Sequence, residues 1–419
     1  MLMNSNRRAA RELRDAGIFA DTLQGFLARS RQPAPERHLY MVDESSLAST
    51  KQVRDFLAKL GSGDRVLFIG DTRQHQGVEA GKPFEQLVNA GMKTAKLDQI
   101  VRQKDPELLR AVEHLSRGEV AKGLALLEQQ GRVFEITDPQ KRIAAIARNY
   151  ADSPDNTIIV SPDNASRCEI NQAVRAELQV RGIVALENHS IRVLARRSEM
   201  TGADRSWAAR YEVGNVLHYV RGSAAHGIEG GSYTRTVATD TKANLVTVEK
   251  TNGQRITYDP SRLRGISAYR EIEQDFAVGD RLQFTAPNKE LGVANRDLGT
   301  IESIDGDRNV TVHIDGGKDR MVTFNPEQIR HFDHGYAVTS HSAQGVTAER
   351  VLIHADTSVH PDLLSSRFAY VAVSRASHEA RIFTDDATRL AQQLGTEVTK
   401  SAALEINQLM SIGQGLELG

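Results

Sequence analysis

Two short apolar runs in the first part of the chain end in acidic residues and flank a segment with helical spacing. Residues 38–42 lead directly into Asp43 and Glu44, and residues 65–69 form a similar run. Between them, residues 50–60 repeat apolar side chains as one face of a helix does. Strand, helix and strand in this order predict a βαβ unit, and therefore a parallel sheet.

The same α/β pattern continues to about residue 182. A break in a helical pattern is expected near Gly118, and Asp138 is suited to capping the helix that follows it. Helical spacing covers residues 7–16, 106–130, 138–150 and 163–180, and a third buried strand is predicted at residues 157–160.

Short β-type runs separated by Gly, Asn and Asp replace this pattern after residue 182. The Asn252-Gly253 pair between alternating runs predicts a hairpin, and residues 280–324 predict a small β-barrel. The βα pattern returns from residue 336, with strands predicted at 336–340, 351–354 and 381–384 and helices near 361–368, 386–395 and 400–411. The predicted fold is therefore α/β with parallel sheets, interrupted by a β-rich insertion.

The amino-acid composition excludes several classes of protein. The 419 residues suit two or three domains, and 53 Lys and Arg against 54 Asp and Glu exclude a uniformly basic surface. Cys168 is the only cysteine, which excludes a disulfide framework and a thiolate zinc site within one chain. No secretory h-region and no run of about 18 apolar residues occurs, so we predict a cytoplasmic protein without a membrane segment.

Asp43 and Glu44 have the position of a Walker B pair at the carboxyl end of a buried strand. A nucleotide hydrolase needs one carboxylate for Mg²⁺ and another to position or deprotonate the attacking water. Two solvated acids after a strand would give the same pattern.

The loop after the second strand, residues 70–77, carries Thr72, Gln74 and His75. Such a loop can place a Gln on a γ-phosphate, although an ordinary Gly-Asp turn fits equally well. Residues 77–83 only resemble a P-loop, because the glycines stand one residue too close and Pro83 replaces the Ser or Thr that binds Mg²⁺.

Two later segments carry arginines of interest. Arg102-Gln103 follows a short apolar run, and Arg375 follows Ser374 in a run, residues 370–376, that has β-type composition. A planar guanidinium suits the charge on a transferring phosphoryl group, whereas a surface arginine is the plainer explanation for each alone. Residues 340–345 follow a strand and open a short helix, where backbone N–H groups can face phosphates.

These elements occur in one order, which is that of the superfamily 1 helicase motifs: Asp43-Glu44, residues 70–74, Arg102-Gln103, residues 339–345 and residues 370–375. Within that superfamily the chain resembles the RecD-like helicases, and most of all the helicase part of the TraI/TrwC conjugative relaxases (MobF class). The segments that carry this closer resemblance are residues 6–13, 21–23, 81–84 and 341–348.

The resemblance implies an ATP-dependent DNA helicase that moves 5′ to 3′, with ATP and Mg²⁺ as cofactors. Asp43 would bind Mg²⁺ and Glu44 would activate water. Gln74 would sense the γ-phosphate, and Arg102 and Arg375 would act as arginine fingers from the two sides of one cleft. The remaining nucleotide contacts would come from Gln344 and Gly345.

The resemblance also implies single-stranded DNA as a partner, together with other proteins of the conjugation machinery. We expect weak, salt-dependent binding without strong sequence preference. The candidate DNA contacts are Arg7, Arg8, Thr72, His75, Thr339, His341, Arg196 and Arg197, with further basic residues at Arg11, Arg192 and Arg205.

The implied domains are two RecA-like domains and an accessory insertion. Residues 1–150 would form the first domain, residues 151–185 plus 331–419 the second, and residues 186–330 the β-rich accessory subdomains. No G-x-x-x-x-G-K-[ST] occurs in the 419 residues, so we expect a chain truncated before its P-loop, with an incomplete first domain and no ATP hydrolysis of its own. The alternative hypothesis is a non-catalytic, vestigial helicase module that binds single-stranded DNA.

Overall fold

A computed structural model describes residues 2–4, 10, 13–14, 17–29, 37–74, 81–97, 99–197, 200, 203–316, 320–343 and 345–395, with the side chain of His341 excepted. The predicted helices at residues 7–16 and 400–411 lie largely or wholly outside these ranges. The chain divides into two compact units, of which the first comprises Met1–Glu177 with Tyr336–Gly419 and the second Leu178–Gly335.

The predicted βαβ unit is confirmed within a four-stranded parallel sheet of order β2-β1-β3-β4. Its strands are β1 (Leu2–Asn4), β2 (Ala20–Thr22), β3 (Leu39–Asp43) and β4 (Arg65–Phe68), and its helices are α1 (Leu23–Ala28), α2 (Thr50–Leu57) and α3 (Pro83–Asn89). Helix α2 begins at a capping box in which Ser49 and Gln52 satisfy each other's backbone N–H groups. Its buried face, Val53 and Phe56, packs on Tyr40 and Val42 of β3.

The helical region that follows is also confirmed. It comprises α4 (Pro106–Ser116), α5 (Val120–Gln129), α6 (Pro139–Ala151) and α7 (Asn164–Val180), with strands β5 (Val133–Glu135) and β6 (Thr157–Ser161) between them. Gly118 adopts a left-handed φ of 80° where α4 stops, and the Asp138 side chain accepts the Lys141 N–H to cap α6.

The second unit consists of two antiparallel sheets, and the predicted insertion, residues 186–330, falls inside it. The first sheet has the order β11-β10-β9-β8-β12-β7 and the second β16-β15-β14-β13-β17. The strands are β7 (His189–Arg196), β8 (Val216–Tyr219), β9 (Tyr233–Asp240), β10 (Leu245–Lys250), β11 (Arg255–Tyr258), β12 (Ile266–Phe276), β13 (Arg281–Phe284), β14 (Leu298–Ile304), β15 (Val310–Ile314), β16 (Met321–Phe324) and β17 (Phe332–His334).

The predicted Asn-Gly hairpin joins β10 to β11, with Gly253 at a φ of 80°. The five-stranded sheet at β13–β17 stands where a small β-barrel was predicted. Among the described residues, its edge strands β16 and β17 are not hydrogen-bonded to each other, so backbone pairing does not close a barrel.

A second parallel sheet is completed when the chain returns to the first unit. The new elements are β18 (Ala337–Thr339), α8 (Ser340–Ala343), β19 (Ala348–Ala355), α9 (Ser366–Val373), β20 (Ala376–Thr384) and α10 (Ala387–Leu394), and the sheet order is β18-β6-β19-β20-β5. Strand β5 pairs with β20, so residues 133–135 belong to this sheet although they precede the predicted boundary at residue 150.

One predicted element is wrong. Residues 370–376 were expected to form a β-type run, but α9 extends to Val373 and strand β20 begins only at Ala376. Helix α9 is capped by Ser365, and it is buried on most of its surface, so its apolar residues show no helical periodicity. The helix predicted near residues 361–368 corresponds to a 3₁₀ turn, Pro361–Leu363, and to the start of α9 at Ser366.

Candidate nucleotide site

The acidic pair lies at the carboxyl edge of the first sheet. Asp43 is the last residue of β3, and its Oδ1 accepts the backbone N–H of Glu44 at 2.9 Å. Glu44 has a left-handed backbone, with φ 52° and ψ 40°, which is uncommon for a residue other than glycine. The next N–H, of Ser45, bonds to the carbonyl of Ile69 at 2.8 Å and fixes this turn against the end of β4. A strained turn held from outside is typical of a functional site.

Asp71 organises the loop that follows β4, although it was not among the predicted site residues. One carboxylate oxygen accepts the N–H of Arg73 at 2.9 Å. The other accepts the Gln74 side-chain amide at 3.3 Å and the Tyr370 hydroxyl at 3.0 Å. The last bond joins the first sheet's loop to α9 of the second sheet, because Tyr370 is a residue of that helix. Burial and then the Asp71 charge raise the pKa of Tyr370, so its hydroxyl remains a donor.

The segment around Arg102 also reaches the second sheet. Its guanidinium donates to the carbonyl of Ser374 at 3.1 Å. The Gln103 amide donates to the same carbonyl at 3.1 Å and to that of Ala376 at 2.7 Å. Gln103 is buried, so these bonds fix Arg102 beside the start of β20. Sequence reasoning missed Gln103 as a positioning residue, although it is part of the Arg-Gln pair.

Arg375 is 2% exposed, and it donates to the carbonyl of Val371 at 3.2 Å and to the Ser374 hydroxyl at 3.3 Å. Among the described residues, no carboxylate oxygen lies within 4.0 Å of the Arg375 or the Arg102 guanidinium, so neither forms an ion pair. The two positive charges repel each other. Burial, followed by Arg102, lowers the pKa of Arg375 to about 10, while Glu44, Tyr370 and Asp71 act in the opposite direction.

These contacts bring several predicted residues together within the first unit. Arg102 and Glu44 both act electrostatically on Arg375, and Gln74 joins the group through Asp71. Two guanidinium groups that have no ion-pair partner among the described residues form a donor set that fits a multiply charged anion such as a phosphate.

The other predicted residues lie elsewhere or are not described. The Thr339 hydroxyl donates to Ser342 at 3.1 Å where α8 begins, and Gly345 has a φ of 82°. Thr72 is half-buried beside Ser46 and Lys82. The residues Arg7, Arg8, Arg11, His75 and Gln344, and the side chain of His341, lie outside the described residues.

The arginines predicted to contact DNA in the insertion differ in their surroundings. Arg196 is exposed on β7. Arg197 is mostly buried and donates to the carbonyl of Arg210 at 2.9 Å and to Asn215 at 2.8 Å, with Glu212 at 3.2 Å. These bonds engage the Arg197 guanidinium within the unit.

Comparison with known proteins finds two domain families in the chain and several relatives. The AAA domain family matches residues 2–138, and the UvrD-like helicase C-terminal domain family matches residues 334–383. The chain is 25% identical over 459 residues to the multifunctional conjugation protein TraI of Escherichia coli, covering 96% of this chain and 26% of TraI. It is 25% identical over 358 residues to the ATP-dependent RecD2 DNA helicase of Deinococcus radiodurans, covering 84% of this chain and 37% of RecD2.

One similar solved structure shows two Pif1 helicases and concerns DNA unwinding at forked double-stranded DNA. Its alignment covers 99% of this chain and 87% of the Pif1 chain. Its sequence identity is 16% and its TM-score 0.48.

The order of motifs and the two domain matches are consistent with a superfamily 1 helicase. Within that class the chain is similar to the RecD2 helicase and to TraI. It spans about a quarter of the length of TraI. None of the described helices is long and apolar enough to cross a membrane.

Proposed function

We propose that the chain is the motor portion of an ATP-dependent DNA helicase that moves 5′ to 3′ on single-stranded DNA during conjugative transfer. The observation that carries this proposal is the buried Arg375, without an ion pair in the described structure, beside Arg102 and under the influence of Glu44. Cations buried at such cost are expected where a ligand supplies the missing negative charge.

The two parallel sheets would be the two motor halves, and the second unit, Leu178–Gly335, would be the accessory part that contacts DNA. The first sheet would contribute the acids, the second Arg375, and Arg102 would reach the second sheet from the connecting segment. A phosphoryl transition state needs its acid and its cations within a few ångströms of one another. The electrostatic influence of Glu44 and Arg102 on Arg375 supports such an arrangement.

The residues present fit ATP and Mg²⁺. Asp43 would hold the metal, because Mg²⁺ is usually bound by one or two carboxylates together with substrate phosphates and waters. The metal would neutralise charge on the phosphates. Glu44 would orient and deprotonate the attacking water, Gln74 would contact the γ-phosphate, and Arg102 and Arg375 would stabilise the charge on the transferring group.

Hydrolysis needs one element that the 419 residues lack, a G-x-x-x-x-G-K-[ST] loop to cradle the phosphates. We infer that the chain as given hydrolyses no ATP above background. The second candidate is a non-catalytic module that binds single-stranded DNA, which would need no such loop. Asp43, Glu44, Gln74 and both arginines favour the motor, since a binding module does not need them.

The test joins the strand, P-loop and helix of TraI to the start of this chain. The fusion should hydrolyse ATP when single-stranded DNA is added, and the Glu44→Gln fusion should bind DNA equally well without hydrolysis. The unfused chain serves as the blank. A fusion that binds DNA and ATP but never hydrolyses it would favour the binding module. DNA-stimulated hydrolysis by the unfused chain, absent from its own Glu44→Gln variant, would refute the need for a P-loop.

A further inference from the structure

The only tryptophan of the chain is largely exposed in the second unit. Trp207 has 61% of its surface accessible and lies between two 3₁₀ turns, Asp204–Ser206 and Ala208–Arg210. Its indole makes no hydrogen bond or ring contact with any other described residue. Tryptophan normally buries its ring and finds a partner for its N–H, and exposed indoles are enriched where another molecule binds.

The backbone that presents Trp207 is fixed on both sides by a single side chain. The Asn244 amide donates to the carbonyl of Ser206 at 3.1 Å, and its oxygen accepts the N–H of Ala208 at 2.7 Å. The Tyr211 hydroxyl donates to the carbonyl of Arg205 at 2.7 Å, and Ala208 is fully buried. The indole is therefore presented by an ordered loop, so a ligand that stacks on it would lose little backbone entropy.

The surroundings of Trp207 carry positive charge. The 3₁₀ turn Pro260–Arg262 packs against Asp204–Ser206. The basic residues in or just after these turns are Arg205, Arg210, Arg262 and Arg264, of which the last three are exposed. Two acids in the same segments pair with two of these arginines, Asp204 with Arg210 at 3.0 Å and Asp259 with Arg262 at 3.7 Å. Among the described residues, Arg205 and Arg264 have no carboxylate within 4.0 Å, so the segments keep a positive balance. An aromatic face among arginines is the combination that binds bases and phosphates of a single strand.

We propose that Trp207 is a stacking platform for a base of single-stranded DNA, a contact made by the second unit with its own residues. The arginines around it would bind the adjoining phosphates. Stacking tolerates any base, because every base has a π-face, which suits a protein that moves along DNA of any sequence. This inference rests on the proposed function, because the same DNA strand is the ligand.

The fluorescence of Trp207 tests this directly, since no other tryptophan contributes. The chain is titrated with a thymidine oligonucleotide about 20 nucleotides long, enough for several stacked bases. Emission should be quenched, acrylamide should reach the indole less readily, and both changes should follow the binding curve given by anisotropy of a labelled strand. An abasic strand of equal length, which offers phosphates without bases, should bind more weakly and leave the emission unchanged.

Two substitutions separate stacking from folding. Trp207→Ala should weaken DNA binding about 5- to 150-fold, the range found when one stacking side chain is removed, and Trp207→Phe should restore most of it. Val213→Ala is the matched control, because Val213 is 68% exposed in the same unit but has no ring, and its affinity should not change. If DNA binds the parent chain without changing its emission, and Trp207→Ala binds DNA with undiminished affinity, this inference is wrong while the proposed function stands. No DNA binding at low salt would overturn the proposed function with it.

Discussion

Two fully buried arginines should respond in opposite directions to the same substitution. Arg142 is 1% exposed, and it pairs with Asp356 and donates to the carbonyl of Ile136 at 2.7 Å. Arg375 is 2% exposed and, within the described part of the chain, donates only to a carbonyl and a hydroxyl. We expect Arg375→Met to stabilise the protein and Arg142→Met to destabilise it.

The magnitudes follow from the surroundings of each charge. Burial and Arg102 lower the pKa of Arg375 from 12.5 to about 10, which corresponds to a penalty of about 3 kcal/mol for keeping it charged. Its two hydrogen bonds offset about 1 kcal/mol each. Arg375→Met should therefore raise the free energy of unfolding by about 1 kcal/mol, and a good fit of the methionine could raise it to about 3. Arg142→Met should lower it by about 3–5 kcal/mol, because Asp356 would remain as a half-buried charge without its partner.

Urea unfolding followed by circular dichroism measures both changes, with Trp207 emission in the same samples reporting on the second unit. The slopes of the transitions should match that of the parent chain, so that midpoints compare stabilities directly. If Arg375→Met lowers the free energy of unfolding as much as Arg142→Met does, burial imposes no electrostatic penalty on Arg375, and the argument for an anion site there fails.

Three further predictions concern single residues. His354 is buried, and burial, followed by the Arg142 charge, lowers its pKa to about 4, so the folded protein keeps it neutral. The stability that the neutral imidazole provides is present above about pH 6.5 and is lost as the pH falls towards 4. Between pH 7.5 and 5, the free energy of unfolding of the parent chain should fall by about 2 kcal/mol more than that of His354→Gln in urea titrations. Equal losses in the two proteins would contradict this. Gly81→Ala should cost about 2–4 kcal/mol, because φ is 104° and the new Cβ would lie 1.9 Å from the Thr50 hydroxyl oxygen. Gly131→Ala is the control, because its φ is 66° and the space around it is open, and it should cost about 1 kcal/mol in the same assay. Tyr370→Phe removes the hydroxyl that bonds to Asp71 and should lower the urea midpoint by the equivalent of about 1.5–3 kcal/mol; an unchanged midpoint would show that this bond is not made in solution.

The sequence was sufficient to predict those elements that bury only one face. Helix α2 has a buried face and a capping box, and strand β3 is followed at once by its acids, so periodicity and end signals agreed. Helix α9 was missed because tertiary packing buries it on most sides, which removes the periodic pattern that distinguishes a helix from a buried strand.

The acids and arginines of the candidate site could be identified from motif order, whereas their connections could not. The bond between Asp71 and Tyr370 joins residues 299 positions apart, and the amide of Gln103 reaches Ser374 across 271 positions. Such contacts depend on how the two sheets pack, for which local sequence carries no signal. The exposed Trp207 was also missed, since exposure depends on what the rest of the fold leaves uncovered.

The place where the second unit enters the chain has a consequence for how the protein folds. Strands β6 and β18 are hydrogen-bonded neighbours, yet about 175 residues separate Ser161 from Ala337. Closing a disordered loop of that length would cost roughly 5 kcal/mol of chain entropy before any contact of the second parallel sheet forms. The second unit is contiguous in sequence and leaves the ribosome before residues 336–419 are made, so its folding would replace that loop with an ordered body. We therefore expect the edge of β6 that pairs with β18 to stay unpaired until the second unit has folded. The second parallel sheet would then form last.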